Sequence, residues 1–446
     1  MMKKNHANWT NSEKSMIIKY VYRLKQPVFV TTFVLMLLAM CWQTVMHLID
    51  YANGVNGYAN GCVNDMLVNY EGGFVRRGLL GELLFLARSI VPFSVVDAVV
   101  VLYYVGVVLL TVLLVKMFRK NGWSFYLLPF PVCLYVYLCD PYFLVGRRDC
   151  WLLMLAYLCF FLYHKYVIQR CRGYIVGCVA VQLFALLLHE ASLFFIFPII
   201  AVHDLSRQYK LLGDFAKALL KCAFHWWFIV ALVLALVFYH GDQDVVRGFW
   251  MSWAPYFEVT EEMINDSYIS KTLNNSFWYN MTEAVWPVWK GVVGGFPIWP
   301  FNLYLFACTY YLVTRFNTIR LGVKVPTDID KVQLSNIVLL LFCSIFVFML
   351  FVSCDWERDF AYWVIASFMF YSFFGTTGDF PVFLTKMSER LQNRIERSRF
   401  LNSQWGYFLL LITLPLSFMG AAISAMFPFV PLTLKHILMG HPMVIG

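Results

Sequence analysis

Four short charged clusters carry most of the chemistry available to this sequence. They are Glu71 with Arg76-Arg77, Gly146-Arg147-Arg148-Asp149, His189-Glu190, and Asp355-Trp356-Glu357-Arg358-Asp359. Each interrupts apolar sequence, and every cation among them is an arginine. A guanidinium fork binds phosphate or carboxylate through two parallel hydrogen bonds, which an ammonium cannot do. Two arginine pairs therefore predict an anionic ligand, and a diphosphate fits their charge. Carboxylates and an imidazole beside it predict proton transfer as general acid or base. The competing reading is a set of structural ion pairs: Arg147 and Arg148 with Asp149 and Asp140, and Arg358 with Asp355 or Glu357.

His189-Glu190 is the sharpest of the four. It is the only ionisable content of AVQLFALLLHEASLFFIFPII. Burial there predicts a raised Glu190 pKa unless a cation such as Arg147 or Arg358 compensates. The bland alternative is a His–Glu hydrogen bond that holds a tight turn.

The elements that must position these groups are membrane spans. Of 446 residues, 61% are apolar and only 14% charged. Mean hydropathy is +0.65. Average soluble domains are about 45–50% apolar and about 25% charged, so a soluble enzyme, a disordered chain and a coiled coil are excluded. Long apolar runs lie near 27–49, 92–115, 123–139, 150–164, 173–188, 191–203, 222–239, 296–314, 333–353, 360–375 and 405–427. They predict an all-α polytopic bundle of about 11 spans, one integral membrane domain over 1–446. The run after the basic residues 1–26 is too long for a cleavable signal.

Charge sets the hand. With the N-terminus inside, the inner connectors hold 25 of the 35 Lys+Arg and 8 of the 26 acids. Basic short loops stay inside, so the N-terminus is expected inside, the C-terminus outside, and all four clusters on the outer face. The +9 net charge is spread over short connectors, which excludes a nucleic-acid partner. Two outer segments are long, 50–91 and 240–295. In the first, Leu79, Leu80, Leu83, Leu84 and Leu86 recur at helical spacing, predicting an interfacial amphipathic helix over 79–90. The second holds Trp250, Trp253, Tyr256, Trp278, Tyr279, Trp286 and Trp289. These aromatics suit an interfacial belt, sugar stacking or a lipid entry. Asn265, Asn274 and Asn280 open glycosylation triplets that matter only in a eukaryotic lumen. The 12 cysteines show no metal spacing, and Cys139 and Cys150 read as two small apolar residues at helix ends ahead of a disulfide in an oxidising compartment. No metal and no cofactor are expected. Asp97, Gln182 and His225 are the few polar groups near spans, and the lack of midplane charges and of repeats argues against transport.

A many-span protein with outward arginines, carboxylates and a histidine suits sugar transfer from a polyprenyl (pyro)phosphate carrier. The lipid lies among the spans, the leaving phosphate needs cations, and the acceptor hydroxyl needs a base. In layout the whole chain resembles polytopic bacterial glycosyltransferases that use lipid-linked sugars, the GT-C group, and Wzy-type O-antigen or capsule polymerases. The resemblance implies a catalytic acid in the first outer loop, where Asp65 and Glu71 match, although the paired-acid string of many members is absent. It implies arginines facing outward, matched by Arg76, Arg77, Arg147, Arg148 and Arg358. The expected function is periplasmic-face glycosyl transfer in a bacterial inner membrane, surface-polysaccharide polymerisation ahead of side-branch addition. Arg76, Arg77, Arg147 and Arg148 would hold the (pyro)phosphate, Glu190 or Asp149 would be the base, and His189 would orient or share the proton. Arg358, between catalytic Asp355 and substrate-binding Asp359, would complete the site, with Glu71 also on the substrate. The expected partners are a polyprenyl (pyro)phosphate-linked saccharide, the bilayer and a polysaccharide assembly complex. Alternatives are a flippase of lipid-linked oligosaccharide and a non-catalytic component of that complex.

Overall fold

The computed structural model describes residues 61–123, 147–238, 241–286, 292–293, 296–316, 329–353, 356–376, 378–403, 406–407 and 410. The expected first span, most of those at 123–139 and 405–427, and Cys139 and Asp355 lie outside them. The described chain is helical apart from one short antiparallel pair, β1 (Val292–Val293) and β2 (Phe296–Pro297). Among the described residues four helices are long and apolar enough to cross a membrane: α3 (Val95–Asn121), α4 (Asp149–Gln169), α7 (Phe215–Phe238) and α13 (Lys331–Phe351). Between them run α5 (Arg172–Leu188), α6 (Ser192–Leu212) and α12 (Ile298–Thr314), and α14 (Trp356–Phe374) follows α13.

Local chemistry sets the ends. Ser94 caps α3 by accepting from the Asp97 amide. Asp330 caps α13 by accepting from Val332 and Gln333 amides. Gly122 and Gly213 close α3 and α6 in the left-handed conformation that only glycine adopts without strain. Helix α5 turns into α6 within three residues, as the tight hairpin predicts.

The helices define two ends. At one, the starts of α3, α4, α6 and α14 meet the end of α5 and the later half of α13: Trp151 Nε1 of α4 donates to Leu102 O of α3 at 3.1 Å, and Ser344 Oγ of α13 to Phe194 O of α6 at 2.6 Å. At the other, Tyr371 of α14 accepts from the Asp330 amide at 2.9 Å. An extensive core of Leu, Ile, Phe and Tyr side chains, among them Phe160, Tyr163, Phe195, Tyr362 and Trp363, joins the bundle helices.

A second core sits over the first end, and the described parts of both long segments hold helices. Segment 61–91 forms α1 (Gly61–Leu67) and α2 (Gly78–Ile90), matching the helix expected over 79–90. Segment 241–286 forms α8 (Gln243–Trp253), α9 (Glu261–Asn265), α10 (Tyr268–Asn274), α11 (Phe277–Asn280) and a π-helical turn. Together they bury Met66, Leu67, Phe249, Trp250, Trp253 and Leu273. Asn69 Nδ2 donates to Ser252 Oγ at 2.8 Å, and Trp253 Nε1 to Leu67 O at 2.9 Å. Glycines permit the contact: a Cβ on Gly72 would lie 2.2 Å from Val245 O, and one on Gly248 2.5 Å from Gly72 Cα. Trp250 and Trp253 are thus core residues of this cap, whereas Trp278 and Tyr279 stay exposed.

The connector expected over 376–404 also holds an element, α15 (Val382–Arg397), amphipathic and packed along α13.

Candidate functional site

The cap covers a guanidinium–carboxylate cluster built from distant parts of the chain. Arg77 binds Glu190 in bidentate fashion, its Nε lying 2.9 and 3.0 Å from the two carboxylate oxygens and its Nη2 also donating. Arg77 Nη1 reaches Asp65 Oδ1 at 3.3 Å. Arg148 Nη2 lies 3.4 Å from Asp65 Oδ2. Arg148 also donates to the carbonyls of Asp65, Arg77 (3.1 Å) and Leu188. Its side chain is 2% exposed, against 11% for Arg77, 19% for Asp65 and 16% for Glu190. Arg148 is therefore a clasp between α1, the start of α2 and the end of α5, and the carboxylates keep an open side.

Backbone strain marks the same place. Arg77 caps α2 with φ 65°, a conformation that non-glycine residues hold only where their surroundings enforce it. Here the carbonyl accepts from Arg148 while the side chain grips Glu190.

Electrostatics fix the charge states. Burial would raise the Glu190 carboxyl, but Arg77 overrides it and holds the pKa well below 4.5. The compensating cation is thus Arg77, not Arg147 or Arg358, because α2 brings it over the hairpin. Burial likewise opposes ionisation of Asp65, yet Arg148 and Arg77 bring it down to about 2. Burial pushes the His189 imidazole well below 6.5, and Arg77 and Arg358 add to this against Glu190. His189 Nδ1 accepts from the Ala191 amide at 3.1 Å, which assigns the ring proton to Nε2. The Glu190 carboxylate lies 3.5 Å from that Nδ1. Neutral His189 therefore holds the turn through Ala191, not through the carboxylate.

The remaining expected residues fall unevenly. Asp149 opens α4 and accepts from the Tyr362 hydroxyl, with Arg358 Nη1 at 3.9 Å. Arg148 pairs with Asp65 and Arg358 with Asp149, each across helices, whereas Asp140 and Asp355 lie outside the described residues. Asp359 is fully buried one residue further along α14. Arg76 donates to Thr272 O and so ties the cluster to the cap. Arg147 is half-buried beside Arg148, and Glu71 is exposed on the turn before Gly72. Tyr362 and Tyr70 add hydroxyls that charge patterning did not mark. The Tyr70 hydroxyl is pushed up to about 12, burial outweighing nearby Arg148.

An apolar groove of 490 Å³ lies below the hairpin, lined by Leu193 and Phe194 one turn from Glu190, Phe197, Ile229, Val233 and Val347. Among the described residues no group of three His, Cys, Asp or Glu side chains is placed to hold a metal ion.

A second polar cluster lies toward the other end. Asp204 accepts from Gln208 Nε2 at 3.0 Å and Trp226 Nε1 at 3.2 Å, and meets His225 Nδ1 at 2.8 Å. Beside it, His203 contacts the Tyr163 hydroxyl at 2.9 Å and accepts from the Asp379 amide at 3.1 Å. His225 is thus one arm of a buried network, although its sequence context suggested only a polar span end.

Fold and site together define a helical bundle, four of whose described helices are long and apolar enough to cross a membrane, with a partly buried arginine–carboxylate cluster under a cap at one end. No protein family, curated protein or solved structure matches this chain.

Proposed function

We propose that this is a bacterial inner-membrane glycosyltransferase using polyprenyl (pyro)phosphate-linked sugars at the outer face. In this reading the chain has about eleven spans, the N-terminus inside and the C-terminus outside, and polymerises a surface polysaccharide. The observation that carries it is the Arg77–Glu190 pair, over which charged groups far apart in sequence converge. The apolar groove beginning one turn below Glu190 suits the carrier's lipid, and the cap suits the saccharide.

The pair suggests how the chemistry starts. Arg77 is what keeps Glu190 ionised against burial. A substrate phosphate that takes over Arg77 leaves Glu190 desolvated, and its proton affinity rises toward that of a useful base. Glu190 then accepts the proton of the acceptor hydroxyl while that oxygen bonds the anomeric carbon. The carbon–oxygen bond to the carrier phosphate breaks, its electron pair stays on the phosphate, and Arg77 neutralises the charge. Arg76, Arg147 and Arg358 complete the cationic rim. Arg148 positions Arg77 and Asp65, and Asp65 remains ionised beside the acceptor.

The test is polysaccharide chain length in cells carrying Glu190→Gln or Arg147→Ala, with protein level measured alongside. Both variants are expected to lose long chains at normal abundance. Wild-type length in both ends the proposal. Full activity of Glu190→Gln with failure of Arg147→Ala points to a flippase, which needs the cations but no base.

A further inference from the structure

Helix α15 segregates its charges along its length. Leu384, Ser388, Gln392 and Ile395 face inward. Thr385 Oγ1 accepts from Asn336 Nδ2 at 3.3 Å, and Gln392 Nε2 donates to the Tyr310 hydroxyl at 3.0 Å. On the outward side, Phe383, Lys386, Met387, Arg390, Arg394 and Arg397 follow at helical spacing and form one stripe. The acids fall on the other flank. Glu396 there takes Lys331 Nζ at 3.0 Å and Arg315 Nη2 at 3.5 Å. No hydrogen bond or ion pair joins the four cations of the stripe to any described residue. Phe383 is 72% exposed and Met387 40%.

We propose that this stripe docks on the anionic phospholipid headgroups of the leaflet at this end of the bundle. The proposal rests on the chain's crossing a membrane and not on glycosyl transfer. A helix alongside the start of a membrane-crossing helix lies at headgroup depth. Cations alternating with exposed Phe and Met suit that layer, where guanidinium groups meet phosphates and apolar side chains enter the acyl boundary. An acidic protein partner would match the charge but would also have to cover Val382, Phe383 and Phe400, exposed at the two ends of the element. The helix ends on the same side add Lys165, Arg170, Arg172, Lys217 and Lys221, so the field there favours an anionic surface.

The experiment uses the full-length protein in nanodiscs of phosphatidylcholine alone, or of phosphatidylcholine and phosphatidylglycerol in equal parts. Amide exchange over 382–397 is expected to slow about tenfold in the anionic discs at low salt, and the difference to fade as salt rises. Replacing Lys386, Arg390, Arg394 and Arg397 together by Gln should remove the difference, while Glu389→Gln should keep it. Arg390→Gln and Arg394→Gln singly should each give a partial loss if the fourfold variant does not fold. Equal exchange in the two discs overturns the proposal, as it would if a co-purifying protein were the true partner. A difference that survives neutralisation or high salt overturns it as well.

Discussion

Among the described residues, the cluster under the cap and the cluster around Asp204 are built on opposite principles. Under the cap, two guanidinium groups share two carboxylates, and the participants come from α1, the start of α2, the α5–α6 hairpin and the start of α4. At the other end a single carboxylate, Asp204, accepts from neutral donors on its own helix and on α7, with His225 beside them. Asp204 is fully buried, whereas Asp65 and Glu190 retain some exposure. An ion pair with an open side can exchange one partner for an anionic ligand. A carboxylate held by a pair of neighbouring helices can only hold them together. The first arrangement suits a site and the second a staple between α6 and α7.

The largest effect expected from this contrast is that of Arg77→Ala. It leaves Glu190 and Asp65 buried with less compensation, and removing one partner of a buried pair costs about 3–5 kcal/mol. Thermal unfolding in detergent should register that loss, and Arg77→Ala combined with Glu190→Ala should recover part of it. No recovery in the double variant would mean that the two residues are not coupled. Asp204→Ala should cost less, roughly 1–3 kcal/mol, because the donors it abandons are neutral or at the edge of the core. Product chain length per folded molecule should survive Asp204→Ala and fail with Glu190→Gln. Equal functional loss in both would erase the distinction between site and staple.

The contrast also explains what could be read from the chain itself. Apolar runs mark helices by period and length, so the spans near 150–164 and 333–353 and the helix over 79–90 correspond to real elements. Charges that break such runs mark the edge of a bundle, which singled out His189-Glu190 and Arg147-Arg148. Partner choice was not legible, because Arg77 and Glu190 are 113 residues apart and only the packing of α2 on α5 brings them together. The cap was hidden for a related reason. Gly72 and Gly248 read as loop residues, yet their missing side chains let two backbones touch. Asp204 directly follows the apolar run near 191–203, and nothing in its local sequence reveals the helix that supplies Trp226 and His225. Helix α15 was read as a basic connector because charge counts ignore which flank each charge takes.

A smaller effect sharpens the comparison through pH. His189 is buried among Arg77, Arg358, Glu190 and Asp65, and its folded pKa lies well below 6.5. Below that value the unfolded chain binds a proton that the folded one refuses, so stability falls as pH drops, by at most about 1.4 kcal/mol per pH unit. Glu190 and Asp65 have folded pKa values depressed from 4.5 and 3.8. Their stabilisation is complete above those unfolded values and is lost only as pH falls further, toward about 2 for Asp65. Between pH 6.5 and 4.5 the slope from this cluster therefore belongs to His189. His189→Gln keeps an acceptor for the Ala191 amide and removes the titration, so its unfolding temperature should fall less steeply over that interval than the wild type's. An unchanged slope would place the acid sensitivity elsewhere in the molecule, and a wild-type slope of opposite sign would mean that Glu190 outweighs both burial and Arg77 at the imidazole.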